Sequence, residues 1–247
     1  MSALMKAAGK GRLHKSVFSP VGPDAVLSVE FAPPGMRARE IKTRSKTRAS
    51  GAYPSFRMGR NIHWESSGER NAIKLLDVDS SVLHLGEQPC VIHYRLAGEL
   101  HRHYPDLLVE RRHVKVLFEV KERKEALSPD VIERTALMRA GLPRLGYEYD
   151  VLIAEDLCKE PRITNVNFVL RHGRAAMSLK CREELRLYFV KHKSTMWSEV
   201  MRGQAGALTL SRACRLILEG QLSIDFESSW SSGSVACTAL SEQKFAL

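Results

Sequence analysis

The sequence has no apolar run of the length, about 20 residues, that a membrane-spanning helix needs. Its first eight residues are too few and too mixed to form the apolar region of a signal peptide. The five cysteines are scattered and include no C-x-x-C pair, which argues against a disulfide framework and against a zinc ribbon. We therefore expect a cytoplasmic protein with reduced cysteines and no membrane partner.

Acidic residues are scarce in residues 37–60, where Glu40 is the single acid among eight basic residues. The whole chain carries a formal net charge of +10, which favours a polyanionic partner such as double-stranded DNA. A solvated lead-in segment is the alternative explanation. The candidate DNA-binding residues in this stretch are Arg44, Lys46, Arg48, Arg57 and Arg60.

A chain of 247 residues suits one large or two modest domains, and the pattern favours two. Residues 1–35 are rich in glycine and proline and predict a loosely packed arm with one short strand near residues 26–31. Residues 36–175 predict an α/β core in the order helix, three-strand meander, helix, strand. In the core, the second helix is predicted to run from Pro129 through Ala140, with Gly141 just past its end.

Residues 176–247 predict a small, mostly helical domain. Amphipathic patterns predict helices over residues 181–191, 195–202 and 209–219, and the alternating segment Q-L-S-I-D-F predicts a strand after them. Three helices followed by a strand fit a winged-helix module.

The chemistry centres on residues 105–121, P-D-L-L-V-E-R-R-H-V-K-V-L-F-E-V-K. This stretch predicts a hairpin that pairs residues 107–109 with 116–118. Because side chains alternate along a strand, Glu119 and Lys121 emerge on one face. Asp106, at the start of the first strand, then lies beside the end of the second. Two carboxylates and an ammonium group predict a site for a hard cation with a proton-handling residue next to it.

A third acid is predicted upstream. Ser66 and Glu69 have the spacing of a capping box, and Glu69 falls on the same helical face as Ala72, Ile73 and Leu76. A capping role alone would explain this glutamate. Glu65 is a second acid that could serve the same site.

This donor set suits Mg²⁺, with Mn²⁺ as a substitute, because Mg²⁺ binds few protein carboxylates and keeps several waters. The predicted metal ligands are Glu69, Asp106, Glu119 and the main-chain carbonyl of Val120, around one or two ions. Lys121 would orient or deprotonate the attacking water, and its pKa is open to lowering by burial and raising by the acids. His101 and His103 have metal-pair spacing but no third histidine or cysteine at matching distance.

Asp106 with Glu119, Val120 and Lys121 resembles the signature of the PD-(D/E)xK nuclease superfamily. The ordered motifs G-x-Y-P-S-F-R-M-G-R, W-E-S-S-G-E, L-L-D-V-D, Gln88-Pro89, Y-P-D-L-L-V and F-E-V-K are similar to those of the TnsA-type endonuclease subunit of heteromeric DNA transposases. The similarity covers about residues 36–175 and continues more weakly at residues 216–222 and in the polar tail to Thr238. Gly68 departs from the family pattern, in which an apolar helix residue is usual at this position.

The resemblance implies a restriction-endonuclease-like fold, with a mixed central sheet flanked by helices, and a DNA endonuclease that cuts the 5′ ends of a transposable element. It implies a TnsB-like DDE transposase and a TnsC-like AAA+ regulator as partners in the bacterial cytosol. By motif, Glu69, Asp106, Glu119 and Lys121 are the catalytic positions. Two alternatives stay open: a stand-alone restriction or repair nuclease, and a non-catalytic DNA-binding assembly subunit.

Overall fold

The computed structural model describes residues 14–17, 24–33, 36–39, 49–230 and 235–238. The strands in these residues are β1 (His14–Val17), β2 (Ala25–Phe31), β3 (Gly51–Pro54), β4 (Asn61–Trp64), β5 (His84–Glu87), β6 (Cys90–Leu96), β7 (Glu99–His103), β8 (Leu107–Glu110), β9 (Lys115–Lys121), β10 (Glu148–Ile153), β11 (Ser194–Met196), β12 (Leu222–Ser223) and β13 (Val235–Thr238). The α-helices are α1 (Ser67–Val78), α2 (Arg123–Ala126), α3 (Pro129–Gly141), α4 (Ala154–Leu157), α5 (Arg162–His172), α6 (Leu179–Lys191), α7 (Trp197–Met201) and α8 (Leu210–Leu218).

Two four-stranded sheets form the centre of the α/β part. The first has the strand order β1-β2-β6-β7 and is antiparallel throughout. The second has the order β10-β9-β8-β5, in which β10 runs parallel to β9 and the other pairs are antiparallel. One antiparallel and one mixed sheet, flanked by helices, confirm the α/β class that the sequence predicts.

Successive side chains of β8 and β9 point to opposite faces of the second sheet, so the core has two layers. Leu107, Val109 and Phe118 face a cluster that includes the apolar side of α1. Leu108 and Leu117 face a second cluster that joins the first sheet to α3. The second sheet therefore lies between α1 on one face and α3 with the first sheet on the other, which is the burial that a period-two pattern specifies.

The strand predicted near residues 26–31 is a full member of the first sheet and not part of a loosely packed arm. β2 pairs with both β1 and β6, and Val26 and Val29 are buried. Val26 and Val29 pack in a core cluster with residues of β6, although the proline and glycine content of this segment predicts loose packing. The remaining residues of the predicted arm are described only at 14–17, 24 and 32–33.

The three strands predicted as one meander do not form one sheet, because they are divided between the two sheets. β7 pairs with β6 in the first sheet, whereas β8 pairs with β9 and β5 in the second. The break falls at Tyr104–Asp106, where Pro105 has no N–H for a ladder. Asp106 rejoins the ladder at once, since its N–H donates to the carbonyl of Phe118 at 2.9 Å.

The chain after residue 176 folds in the order α6, β11, α7, α8, β12, β13, and its strands form a sheet in the order β11-β13-β12. The helix predicted from residue 195 begins at Trp197 instead, because residues 194–196 pair with 235–237. The predicted strand Q-L-S-I-D-F is reduced to Leu222–Ser223. α3 runs through Gly141, one residue beyond the predicted end.

This C-terminal region packs directly on the α/β part. Buried residues of α8, among them Cys214 and Leu218, belong to the same hydrophobic cluster as those of α1 and α5. A Cβ on Gly173 would come within 2.7 Å of the carbonyl oxygen of Cys214, so the approach there needs glycine. No helix in the described ranges has both the length and the apolar character to span a bilayer.

Candidate functional site

The candidate site lies at the end of β9, where the start of β8 crosses beside it. Asp106 Oδ2 accepts a hydrogen bond from the main-chain N–H of Val120 at 2.7 Å. Together with the bond from Asp106 N–H to Phe118, this fixes the Asp106 carboxyl against β9. The structure therefore brings Asp106 and the Glu119–Lys121 segment together, and it places the Val120 N–H on Asp106.

Glu119 is buried, and its two carboxylate oxygens have different surroundings. Oε1 lies 2.8 Å from Lys121 Nζ and 3.7 Å from Arg134 Nη2. Oε2 accepts no hydrogen bond from any described residue. His103 Nε2 approaches Oε2 to 3.3 Å, but that nitrogen lies closer to the Tyr149 hydroxyl, at 2.9 Å. Burial, helped by Arg134 and Lys121, lowers the pKa of His103 to about 3, so the imidazole is neutral and forms no ion pair.

Lys121 carries a positive charge at neutral pH. Burial alone would lower its pKa, but the carboxylates of Glu119, Asp106 and Glu125 raise that pKa above its ordinary value. The sequence alone leaves open whether burial or the nearby acids determine the direction of the pKa shift of Lys121. In the structure the effect of the acids is the larger one. A charged ammonium group donates hydrogen bonds and neutralises negative charge, and it is a poor general base.

Glu69 holds the first turn of α1 as well as facing the site. Its N–H donates to Ser66 Oγ at 3.1 Å, and its Oε2 accepts from the N–H of Glu65 at 2.9 Å. Burial raises the pKa of Glu69; hydrogen bonding of its carboxyl with the Glu65 N–H and with the Ser66 side chain opposes that rise, while the charges of Glu65 and Glu119 add to it. The capping role and the proximity to other acids are therefore both present.

Glu65 is engaged elsewhere. Its Oε1 accepts from Gln88 Nε2 at 2.8 Å, and its Oε2 lies 3.6 Å from Arg39 Nη2. The acids that raise the pKa of Asp106 are Glu119 and Glu69. This geometry favours Glu69 over Glu65 as the upstream acid of the site.

Gly68 explains how the acid of α1 comes so close to β9. A Cβ at this position would lie 2.9 Å from both Val120 Cγ1 and Ala154 Cβ. Such a contact is too short for a real side chain, so the missing side chain allows the start of α1 to pack against the end of β9. Packing therefore requires glycine at this position, and not the apolar residue that is usual there.

Asp106 has the most perturbed environment of the three acids. Burial is the main reason that its pKa is raised well above the ordinary value, and the charges of Glu119 and Glu69 raise it further. The Val120 N–H and the Lys121 ammonium oppose this effect. Buried carboxyl groups that repel one another are common at catalytic and cation-binding sites, because a bound cation relieves both penalties.

The donors fit Mg²⁺ in chemistry, since they are oxygens and include Glu119 Oε2, which has no hydrogen-bond partner among the described residues. As the side chains stand, however, no three histidine, cysteine or acidic residues in the described ranges are grouped to hold a metal ion. His101 and His103 do not change this, because His101 stacks on Tyr94 and His103 contacts Tyr149. Closing a shell around one ion requires side-chain rotation at the site.

Sequence reasoning missed Arg134 and Gln88. Arg134 lies on α3 and reaches Glu119, and its Nε is buried without a partner among the described residues. The buried positions Val131, Thr135 and Met138 mark the inward face of α3, and helical spacing places Arg134 next to that face. Gln88 belongs to the motif Gln88-Pro89 on which the resemblance partly rests, but a residue before proline indicates only an extended or turn conformation and no contact with the acids.

The candidate DNA-binding residues fall into two groups. Arg44, Lys46 and Arg48 lie outside the described residues. Arg57 and Arg60 have internal partners: Arg57 Nη2 donates to the carbonyl of Leu218 at 3.0 Å, and Arg60 forms two bonds with Glu87 at 2.8 and 3.0 Å. Burial lowers the pKa of Arg57, as expected for a cation enclosed by protein. Both side chains contribute to packing between segments.

In comparisons with known proteins, no protein-family model and no curated protein matches the chain.

Proposed function

We propose that the protein is a Mg²⁺-dependent DNA endonuclease, the subunit of a heteromeric transposase that hydrolyses the phosphodiester at the 5′ ends of a transposable element. One observation carries the proposal. The half-buried carboxyl of Asp106 and the buried carboxyl of Glu119 lie at adjacent strand ends, with Lys121 Nζ 2.8 Å from Glu119, and Glu69 raises the pKa of Asp106. The order of these residues is the one on which the resemblance to TnsA-type nucleases rests.

Details of the fold, in addition to its α/β class, support the proposal. A mixed sheet with the acids on neighbouring strands and a helix on each face suits a restriction-endonuclease-like core. The order helix, strand, helix, helix, strand, strand after residue 176 suits a winged-helix-like domain.

The chemistry assigns a separate task to each residue. Bound Mg²⁺ would act as a Lewis acid on the scissile phosphate and lower the pKa of a bound water. Glu69, Asp106 and Glu119 would hold the ion, with the Val120 carbonyl as a further oxygen ligand. Lys121, which is positively charged, would orient the attacking water by donating a hydrogen bond and would stabilise negative charge on the phosphate.

The partners belong to the same proposal. Double-stranded DNA is the substrate, a TnsB-like DDE transposase cuts and joins the 3′ ends, and a TnsC-like AAA+ regulator contacts the complex in the bacterial cytoplasm. The formal net charge of +10 supports a polyanionic substrate, and binding should weaken steeply as salt increases.

The test is cleavage of DNA that carries the element ends, with the DDE transposase and Mg²⁺ present. We expect Lys121→Ala and Asp106→Asn to reduce 5′-end cleavage by about 100-fold or more while DNA binding is retained. Lys115→Ala is the matched control, because Lys115 lies on the same strand but is exposed and pairs with Glu110. If both site variants cut as well as the wild type, the assignment of the site is wrong.

A non-catalytic assembly subunit is the second candidate, favoured by the lack of a ready-made three-residue metal group in the described ranges. In that case, transposition would continue unchanged with the Asp106→Asn and Lys121→Ala proteins. A stand-alone nuclease would instead cut DNA in the absence of any partner.

A further inference from the structure

Gln88, at the junction between β5 and β6, has a costly conformation for a buried residue. Its φ angle of +41° lies in the left-handed region, which side chains other than glycine and asparagine rarely adopt. Its side-chain oxygen Oε1 is buried and has no hydrogen-bond partner among the described residues. Strained backbone and an unsatisfied buried oxygen both oppose folding, and such features concentrate at functional sites.

The hydrogen bonds of Gln88 connect the two segments that carry the acids. Its main-chain N–H donates to the carbonyl of Asp106 at 2.8 Å, next to the carboxyl that contacts β9. Its side-chain Nε2 donates to Glu65 Oε1 at 2.8 Å. The N–H of Glu65 in turn donates to Glu69 Oε2 at 2.9 Å.

These bonds form a continuous path of short contacts from Asp106 through Gln88 and Glu65 to Glu69. The Gln88 carbonyl also accepts from Ala38 N–H at 2.9 Å, which holds the junction from its other side. The left-handed conformation therefore directs the main chain to β8 and the side chain to the start of α1 from a single residue. A right-handed or extended residue here would give up one of the two connections.

We propose that Gln88 is a positioning residue that sets the separation between the Asp106 and Glu69 carboxylates and so prepares the site for a divalent cation. The inference rests on the proposed nuclease function. Without the amide of Gln88, the Glu65 side chain would keep only its longer contact with Arg39, and Glu65 would hold its N–H against Glu69 less firmly. The acids would then need to be ordered when the cation binds, which weakens binding.

The experiment compares Gln88→Gly and Gln88→Asn with the wild type. Glycine suits the left-handed backbone and removes only the side chain, so the melting temperature should stay the same or rise. Mn²⁺ affinity, measured by calorimetry on the protein without DNA, should fall by about 10–100-fold, as for other residues that orient metal ligands. Cleavage at limiting Mg²⁺ should fall in parallel and recover partly at high Mg²⁺.

Asparagine keeps the amide, tolerates the left-handed region and is one methylene shorter, so it should restore part of the Mn²⁺ affinity lost in Gln88→Gly. Wild-type Mn²⁺ affinity in Gln88→Gly would overturn the inference, and so would a large fall in its melting temperature, which would indicate a purely structural role. If the wild type itself neither binds Mn²⁺ nor cuts DNA, the proposed function fails instead.

Discussion

At the scale of the residue, Asp106 is an acid whose charge opposes folding. Its pKa is raised, so the folded state holds the proton more tightly than the unfolded chain does. For such an acid, stability is undiminished below the unfolded pKa and falls as pH rises through the interval up to the folded pKa. At neutral pH and above, the cost of ionising Asp106 therefore lowers the stability of the folded state unless a bound cation compensates it.

Asp106→Asn should therefore raise the melting temperature at pH 8 and have little effect at pH 3.5. Asparagine keeps an oxygen to accept from the Val120 N–H and removes the charge. Each kcal/mol gained should raise the melting temperature by about 2–4 °C for a chain of this size. Thermal melts at both pH values test this, with Asp24→Asn as the control because Asp24 is exposed. Equal melting temperatures for Asp106→Asn and the wild type at pH 8 would contradict the raised pKa.

Added Mg²⁺ should stabilise the wild type and leave Asp106→Asn nearly unchanged. A ligand that binds only the folded state raises stability by mass action, and the gain depends on affinity. The measurement is the melting temperature at increasing Mg²⁺ concentration at constant ionic strength. Equal shifts in the two proteins would show that Mg²⁺ binds away from Asp106.

The core of the candidate site could be predicted because strand alternation is local. Asp106 and Glu119–Lys121 meet as the hairpin pairing requires, and Phe118 pairs with Leu107 as expected. Gln88 reaches the site through tertiary packing, which no spacing along the chain encodes. Helical spacing places Arg134 next to the inward face of α3, but it does not indicate that this face meets Glu119. The charge on Lys121 likewise depends on how closely three acids approach it in the folded state.

At the scale of the element, the position of α1 depends on Gly68. A methyl group there would need Val120 and Ala154 to move, and overpacking of this kind costs about 1–3 kcal/mol. We expect Gly68→Ala to lower the free energy of unfolding by that amount and to reduce cleavage, since Glu69 would move away from β9. Denaturant titration measures the first effect and the 5′-end cleavage assay the second.

Ser67→Ala is the control for Gly68→Ala. Ser67 is exposed on the same first turn, so alanine there adds helix propensity without crowding a neighbour. A Gly68→Ala protein as stable and as active as Ser67→Ala would show that α1 can shift freely relative to β9.

The other end of α1 anchors the loop that follows β3. Asp77 is fully buried and accepts from the Tyr53 hydroxyl at 2.8 Å, Ser55 Oγ at 2.5 Å, and the N–H groups of Phe56 and Arg57 at 2.9 Å each. Asp77→Ala would leave four donors without this acceptor and should cost at least about 3 kcal/mol. Denaturant titration should show it, while Asp24→Ala should change stability by less than about 0.5 kcal/mol.

Secondary structure was predictable where one face of an element is buried by its immediate neighbours. α1, α3 and β9 follow from apolar spacing and from the Ser-Pro start of α3. The break at Pro105 was not recognised, because the apolar pattern continues across it while the strand pairing changes from one sheet to the other. The sequence predicts helix for the last two residues of β11, because they are strand only through pairing with β13, which lies far along the chain.

At the scale of the whole molecule, the region after residue 176 and the α/β part share one hydrophobic cluster. The arginines of α8 face inward contacts: Arg212 Nη1 lies 3.0 Å from Glu184 Oε2, and Arg215 Nε lies 2.6 Å from Glu219 Oε1. Arg215 also lies over the Phe56 ring at 4.7 Å. These contacts engage both arginines within the protein, so neither side chain is free to contact DNA while α8 stays packed in this way.

The shared cluster predicts that the chain unfolds as one cooperative unit. Truncation after residue 175 would remove α8, which packs on α5, and with it the Leu218 carbonyl that Arg57 contacts. We expect the full chain to show a single calorimetric transition, and the truncated chain to bind a hydrophobic dye and lose cooperative melting. Two separate transitions in the full chain, or a truncated chain that melts sharply, would show that the two regions fold independently. In that case, α8 would be free to leave the α/β part and reach a partner or DNA.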